Sequence, residues 1–230
     1  MAKQPLLVLV HGAWHRALMW DALIGQMPGA DIVTVQLPSS APASESRLGD
    51  LYADARAIRA LVDQLDEPVV VCAHSYGGAP ASQGLHGAAN VRRIVYLNAF
   101  MLDVGESVLS AAGGKYRPHW IVDEQAGTVR IREAESVLYG DLNHEAARQA
   151  AASLGPQSLS SLRQPLTAAA WHHIASTYIT GSEDAGIPPA ITSEFAQRAD
   201  RTVVLDTAHS PFYSRPTELA RVLHDELRIG

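Results

Sequence analysis

The chain has 230 residues, 47% apolar and 18% charged, and its 18 Lys and Arg against 24 Asp and Glu leave a net charge of −6. That length implies one domain, or one carrying an insertion, at ~150 residues per domain, with a core able to bury roughly 70% of the unfolded chain's surface. The acidic balance lacks the basic footprint of nucleic-acid binders, and the single Cys72 excludes an intrachain disulfide and a cysteine-based zinc site.

Leu6-Leu7-Val8-Leu9-Val10 opens the pattern as a short, continuous apolar run, the signature of a strand buried on both faces of a parallel sheet. Five residues are too few for a signal-peptide core or a membrane span, so the expectation is a reduced, cytoplasmic protein, neither secreted nor embedded in a membrane. Leu18 to Met27 reads as a helix closed by Pro28-Gly29, and Ile32 to Val35 as a second strand. From Leu48, apolar residues at 51, 52, 55, 58, 61, 62 and 65 recur in steps of three and four, a helix that Pro68 ends. Val69 to Ala73 is a third strand, Ala79 to His86 a helix, and Arg93 to Leu97 a fourth strand. Near the other end, Ser176 to Thr180 and Thr202 to Leu205 read as strands, each followed by a helix: Pro189 to Arg198 and Pro216 to Leu227. Alternating strands and helices imply a doubly wound, mostly parallel six-stranded α/β sheet.

The stretch 103–170 breaks this rhythm. It holds helical pieces such as His144 to Ala152, a hairpin signal at Ala126-Gly127 and no clear buried strand. We read it as a small, mainly helical cap inserted at the C-terminal edge of the sheet, with 1–102 and 171–230 forming the core. Open α/β sheets bind their ligands at that edge.

The third strand runs into Ala73-His74-Ser75-Tyr76-Gly77-Gly78, and a helix follows. This is close to a nucleophile elbow, with Ala73 where glycine is commoner: small residues two before and two after the serine let a tight turn lift its hydroxyl above the sheet. A serine hydroxyl needs a base, and the base needs an orienting group. His209 lies after the last strand and Asp184 after the preceding one, so both converge with Ser75 beyond strand ends, in the order Ser, Asp, His. Glu183 and Asp103 are competing acids, whereas Asp206 lies too near His209 in sequence to orient it. His11-Gly12-Ala13-Trp14 follows the first strand, which makes the N–H groups of Ala13 and Tyr76 the candidate oxyanion donors. His11 and His15 have an i, i+4 metal-pair spacing, but an intervening glycine, a loop setting and no accompanying carboxylate argue against a metal. No cofactor is expected.

These motifs resemble the α/β-hydrolases, specifically the compact branch of plant methyl-ester esterases and hydroxynitrile lyases with their bacterial homologues. The matching pieces are Val8 to Trp14, His74 to Gly78, Tyr178-Ile179 leading to Asp184 and Ile187-Pro188, and Ala208 to Pro211. The resemblance implies Ser75, Asp184 and His209 as a triad, Ala13 and Tyr76 as oxyanion-hole amides, and a cap that builds the substrate pocket. Lyases of this branch carry a lysine directly after the histidine. Ser210 stands there, as in the esterases, so an ester hydrolase is the better reading than a C–C lyase or a small-molecule receptor on the same fold. Trp14, Tyr116, Trp120, Tyr139 and Trp171 are the candidate pocket residues for a small to medium hydrophobic ester. A homo-oligomer is compatible with the sequence.

Overall fold

The computed structural model describes residues 4–40 and 48–229; Met1 to Lys3, the stretch 41–47 and Gly230 lie outside it. In chain order its core begins with β1 (Leu6–Val10), a 3-10 turn at Ala17–Trp20, α1 (Asp21–Ile24), β2 (Ile32–Val35), α2 (Leu51–Val62), β3 (Val69–His74), α3 (Gly78–Gly84) and β4 (Val91–Leu97). The insert follows as α4 (Val108–Ala111), β5 (Trp120–Asp123), β6 (Thr128–Ile131), α5 (Ala134–Leu138), α6 (His144–Ala152), β7 (Gln157–Ser158) and α7 (Leu159–Arg163). The chain then returns to the core with β8 (Ala175–Gly181), α8 (Pro189–Arg198), β9 (Arg201–Leu205), α9 (Pro211–Ser214) and α10 (Pro216–Ile229).

Six strands form one sheet in the order β2-β1-β3-β4-β8-β9, and every pair is parallel. The central strands β1 and β3 are buried along their whole length, whereas the edge strands β2 and β9 stay partly exposed. Their composition follows from position, because only interior strands of a helix-covered sheet can be apolar on both faces. Successive residues of β1 serve opposite layers. Leu7 and Leu9 pack with Trp20, Leu23, Leu219 and Leu223, while Val8 and Val10 belong to the layer of Ile58, Val62, Leu85 and the cap. β1 is flanked by β2 on one side and β3 on the other, so the strand order reverses there and opens a crevice beyond their C-terminal ends.

Helix ends are set by local chemistry. α2 begins at Leu51 rather than Leu48 because Asp50, in extended backbone, caps it by accepting from Ala53 N–H at 2.8 Å. The helix expected over Leu18 to Met27 is shorter: a 3-10 turn runs straight into α1, which stops before Gly25.

The insert combines four short helices with a three-stranded antiparallel sheet, β5-β6-β7. The hairpin expected at Ala126-Gly127 joins β5 to β6. The Asp123 carboxylate accepts from the Gln125 and Ala126 amides, and Gly127 supplies a φ of +67°. The two-residue β7, which no apolar run announces, completes this small sheet. Backbone bonds from Gly105 N–H to Leu166 O and from Leu166 N–H to Glu106 O close the insert's neck. Among the described residues no helix is long and apolar enough to cross a membrane.

Candidate active site

Ser75 leaves β3 with φ +53°, in the left-handed region. For a residue with a Cβ this conformation costs on the order of 1–3 kcal/mol and persists only where its surroundings enforce it. Here the enforcement is steric. A Cβ at Gly77 would lie 2.6 Å from His11 O, one at Gly78 2.7 Å from Phe100 O, and one at Gly12 2.9 Å from Ser75 Cβ. The loops after β1 and β4 therefore press against the elbow wherever it has no side chain. Ala73 sits fully buried between Val10 and Tyr96, so its methyl fits in place of the commoner glycine.

His209 and Asp184 meet as the chain order anticipated. His209 Nδ1–H donates to Asp184 Oδ1 at 2.8 Å, with both side chains buried, which leaves Nε2 as the ring's lone-pair nitrogen. The same carboxylate oxygen accepts from the backbone N–H of Gly186 at 2.7 Å and of Ile187 at 3.2 Å. Gly186 lies flat on the imidazole: a Cβ there would stand 2.7 Å from His209 Nδ1. The competing acids are elsewhere. Glu183 is exposed, Asp103 pairs with exposed His172 at 2.9 Å, and Asp206 accepts from Ser182 on the surface.

Two residues hold the histidine loop: Asn98, absent from the sequence reading, and His74, quoted there only as part of the elbow motif. Asn98, directly after β4 and at φ +43°, donates to Ala208 O and His209 O and accepts from Gly181 N–H at 2.6 Å. His74 Nε2–H donates to His209 O at 3.0 Å, and the two rings lie 4.7 Å apart. Burial holds His74 neutral, its pKa well below the usual imidazole value, and drives His11 down to about 4 and His15 to about 3. His11 donates to Gly12 O and accepts from Leu37 N–H. His15 donates to Ala13 O and faces the Tyr139 hydroxyl at 2.8 Å. The ring nitrogens of the i, i+4 pair are thus engaged in shaping loops. Among the described residues no group of three or more His, Cys, Asp or Glu is placed to hold a metal ion.

Ala13 and Tyr76 line the cavity beside Ser75. The Tyr76 amide lies in the first turn of a 3-10 helix, Ser75–Gly77, where N–H groups have no intrahelical acceptor. Both segments are braced from behind. The Tyr76 hydroxyl donates to Asp54 Oδ2 at 2.5 Å, and Asp54 also accepts from the amide and hydroxyl of Ser39. Burial pushes the Asp54 carboxyl up to about 6 despite these bonds. Gln157 of β7 accepts from Trp14 N–H and donates to Ser39 and Ser161, so the cap joins the same network.

A pocket opens over Ser75 and His209, and the space between its walls, solvent at the mouth included, is about 510 Å³. Trp14 and Trp120 line it, edge to face at 6.4 Å, with Val108, Leu138, Leu162 and Ile191 among the apolar walls. Three expected pocket residues do not reach it. Tyr139 is buried against His15, Trp171 stacks on His172 and donates to Leu102 O, and Tyr116 is exposed beside Glu124 and Arg163. Arg117 and His119, which no motif singled out, line the cavity instead.

A crevice at the switch point of a parallel sheet, a serine on a strained elbow and a buried His–Asp pair are together the parts of an α/β-type hydrolase. The chain belongs to the alpha/beta hydrolase family, whose sequence profile matches residues 7–222. It is 27% identical to the alpha/beta hydrolase nvfD of Aspergillus novofumigatus over 96% of each chain. It is 25% identical to a pyrethroid hydrolase of Sphingobium wenxiniae, over 95% of this chain and 86% of that one. Among solved structures, the methylesterase MES16 of Arabidopsis superposes with a TM-score of 0.81 at 20% identity, covering 98% of this chain and 100% of the other.

Proposed function

We propose that this protein is a serine carboxylesterase acting on small to medium apolar esters. The observation that carries the reading is the buried His209–Asp184 bond of 2.8 Å, set in a cavity that Ser75 and His209 both line. With Nδ1–H committed to Asp184, His209 Nε2 accepts the Ser75 proton and the serine oxygen attacks the ester carbonyl. The Ala13 and Tyr76 amides stabilise the tetrahedral oxyanion, each donor worth ~3–4 kcal/mol. His209 then protonates the leaving alcohol, and a water activated by the same nitrogen hydrolyses the acyl-enzyme while Asp184 balances the imidazolium. The relatives' names, hydrolases and a pyrethroid hydrolase among them, agree with ester cleavage. Ser210 supplies no cation beside the histidine for a departing cyanide, so the lyase reading has no support at that position.

The test is hydrolysis of p-nitrophenyl butyrate by wild type and Ser75→Ala, with folding checked by circular dichroism. The expected loss is about 10⁴-fold or more in kcat. Equal activity in a folded Ser75→Ala protein would overturn the mechanism, and Ser75-dependent release of cyanide from mandelonitrile would replace it with the lyase.

A further inference from the structure

The cavity walls are apolar apart from the catalytic groups, Arg117 and His119, and no carboxylate is among the lining residues. Arg117 Nε is buried with no hydrogen-bond partner, and Arg117 forms no salt bridge among the described residues. Arg93 Nε is likewise buried without a hydrogen-bond partner, but Arg93, like the other arginines that follow, has an acidic side chain beside it. Arg198 is held by Glu106, Glu194 and Met101 O, and Arg93 and Arg201 both face buried Glu226. A cation beside an apolar cavity is costly unless something pairs with it.

The local backbone is built to hold it. Arg117-Pro118-His119-Trp120 is a turn in which Trp120 N–H donates to Arg117 O at 2.9 Å and proline occupies the second position. Arg132 N–H donates to His119 O at 2.9 Å and fixes the turn to β6. His119 is half-buried, and its pKa is lowered by burial first and then by the neighbouring Arg117 cation, which favours the neutral imidazole beside Arg117.

We propose that Arg117 is a specificity residue that pairs with an anionic oxygen, a carboxylate, on the part of the substrate remote from the scissile ester. The natural substrate is then an apolar ester that also carries an acid group. A guanidinium suits this task because its planar fork matches a carboxylate with two parallel hydrogen bonds. The inference rests on the esterase reading for its reaction, while the pairing itself is a matter of binding.

The experiment compares two p-nitrophenyl esters of equal length, the monoglutarate and the valerate, with wild type, Arg117→Met and Arg117→Lys. The ratio of kcat/KM, monoglutarate over valerate, should be about tenfold or more in wild type, carried mainly by KM. It should fall to about one in Arg117→Met and be intermediate in Arg117→Lys. A wild-type ratio near one, or a ratio that survives Arg117→Met, would overturn the proposal. Calorimetry with glutaranilic acid and valeranilide separates this failure from failure of the esterase reading. Tighter binding of the acid, abolished by Arg117→Met, upholds the site even if neither ester is turned over. Equal binding of the two anilides refutes it even if both esters are hydrolysed.

Discussion

The floor and the roof of the cavity are built on different principles. On the floor, contributed by the loops after β1, β3, β8 and β9, almost every functional side chain is anchored to another group: His209 to Asp184, His74 to the His209 carbonyl, Tyr76 to Asp54. The roof is mostly apolar side chains from the cap, joined by His119 and by Arg117, whose Nε has no partner. The difference teaches where each property resides. Satisfied, buried polar groups hold the floor in one geometry, and under the proposed mechanism the reacting groups lie there while the roof selects the substrate.

The largest test of that division is Asp184→Asn. It leaves the imidazole with the wrong tautomer or orientation, and kcat should fall about 10⁴-fold, roughly 5 kcal/mol. A fall of less than tenfold in ester hydrolysis would remove Asp184 from the machinery. Acid is the next lever. His11, His15 and His74 are neutral in the folded state and titrate near 6.5 when unfolded. Their depressed values give stability that is fully present above pH 6.5 and is lost as pH falls. By pH 4 the loss is about 3 kcal/mol for His11 alone. Asp54, raised to about 6, has the opposite sign and returns about 2 kcal/mol over the same range. Urea unfolding at pH 7 and pH 4 should therefore show a net loss of several kcal/mol, and equal midpoints would contradict the buried neutral histidines.

Gly186→Ala sharpens the comparison on the floor itself. Its methyl group displaces the His209 ring, and kcat should drop about 100-fold, with KM changing much less. Comparable changes in both would place the effect on the roof. Gln157→Leu crosses the boundary: it removes the cap's hold on Trp14, Ser39 and Ser161. We expect about tenfold in kcat and about 1–3 kcal/mol of stability, read by steady-state kinetics and thermal unfolding.

The floor was legible in the sequence for a physical reason. A strand buried on both faces has to be an apolar run, and a tight elbow between packed loops has to have glycines, so Val69 to Gly78 carries its geometry locally. The roof depends on long-range packing. Tyr116, Tyr139 and Trp171 have the composition of a pocket and different destinations, because an aromatic side chain packs equally well against a neighbouring ring or a loop. Gln157 carries no signal at all. Asp54 does carry one: it falls on the same face of α2 as Leu51, Ala55 and Ile58, a carboxylate in an apolar stripe that only a buried partner can justify.

The hydrogen bonds between the residue 14–15 loop and the insert have a consequence for how such a protein can diversify. Trp14 is bound through its amide by Gln157, through its indole by Val129 O and through its carbonyl by Gly155 N–H, while His15 meets Tyr139 and Asp141 accepts from Ala208 N–H. The insert is therefore no interchangeable cassette. A chimera that imports another protein's cap without these five attachments loses the bonds that hold the loops around Trp14 and Ala208. Single substitutions among apolar wall residues such as Val108, Ala112 or Ile191 reshape the pocket while leaving these five hydrogen bonds in place.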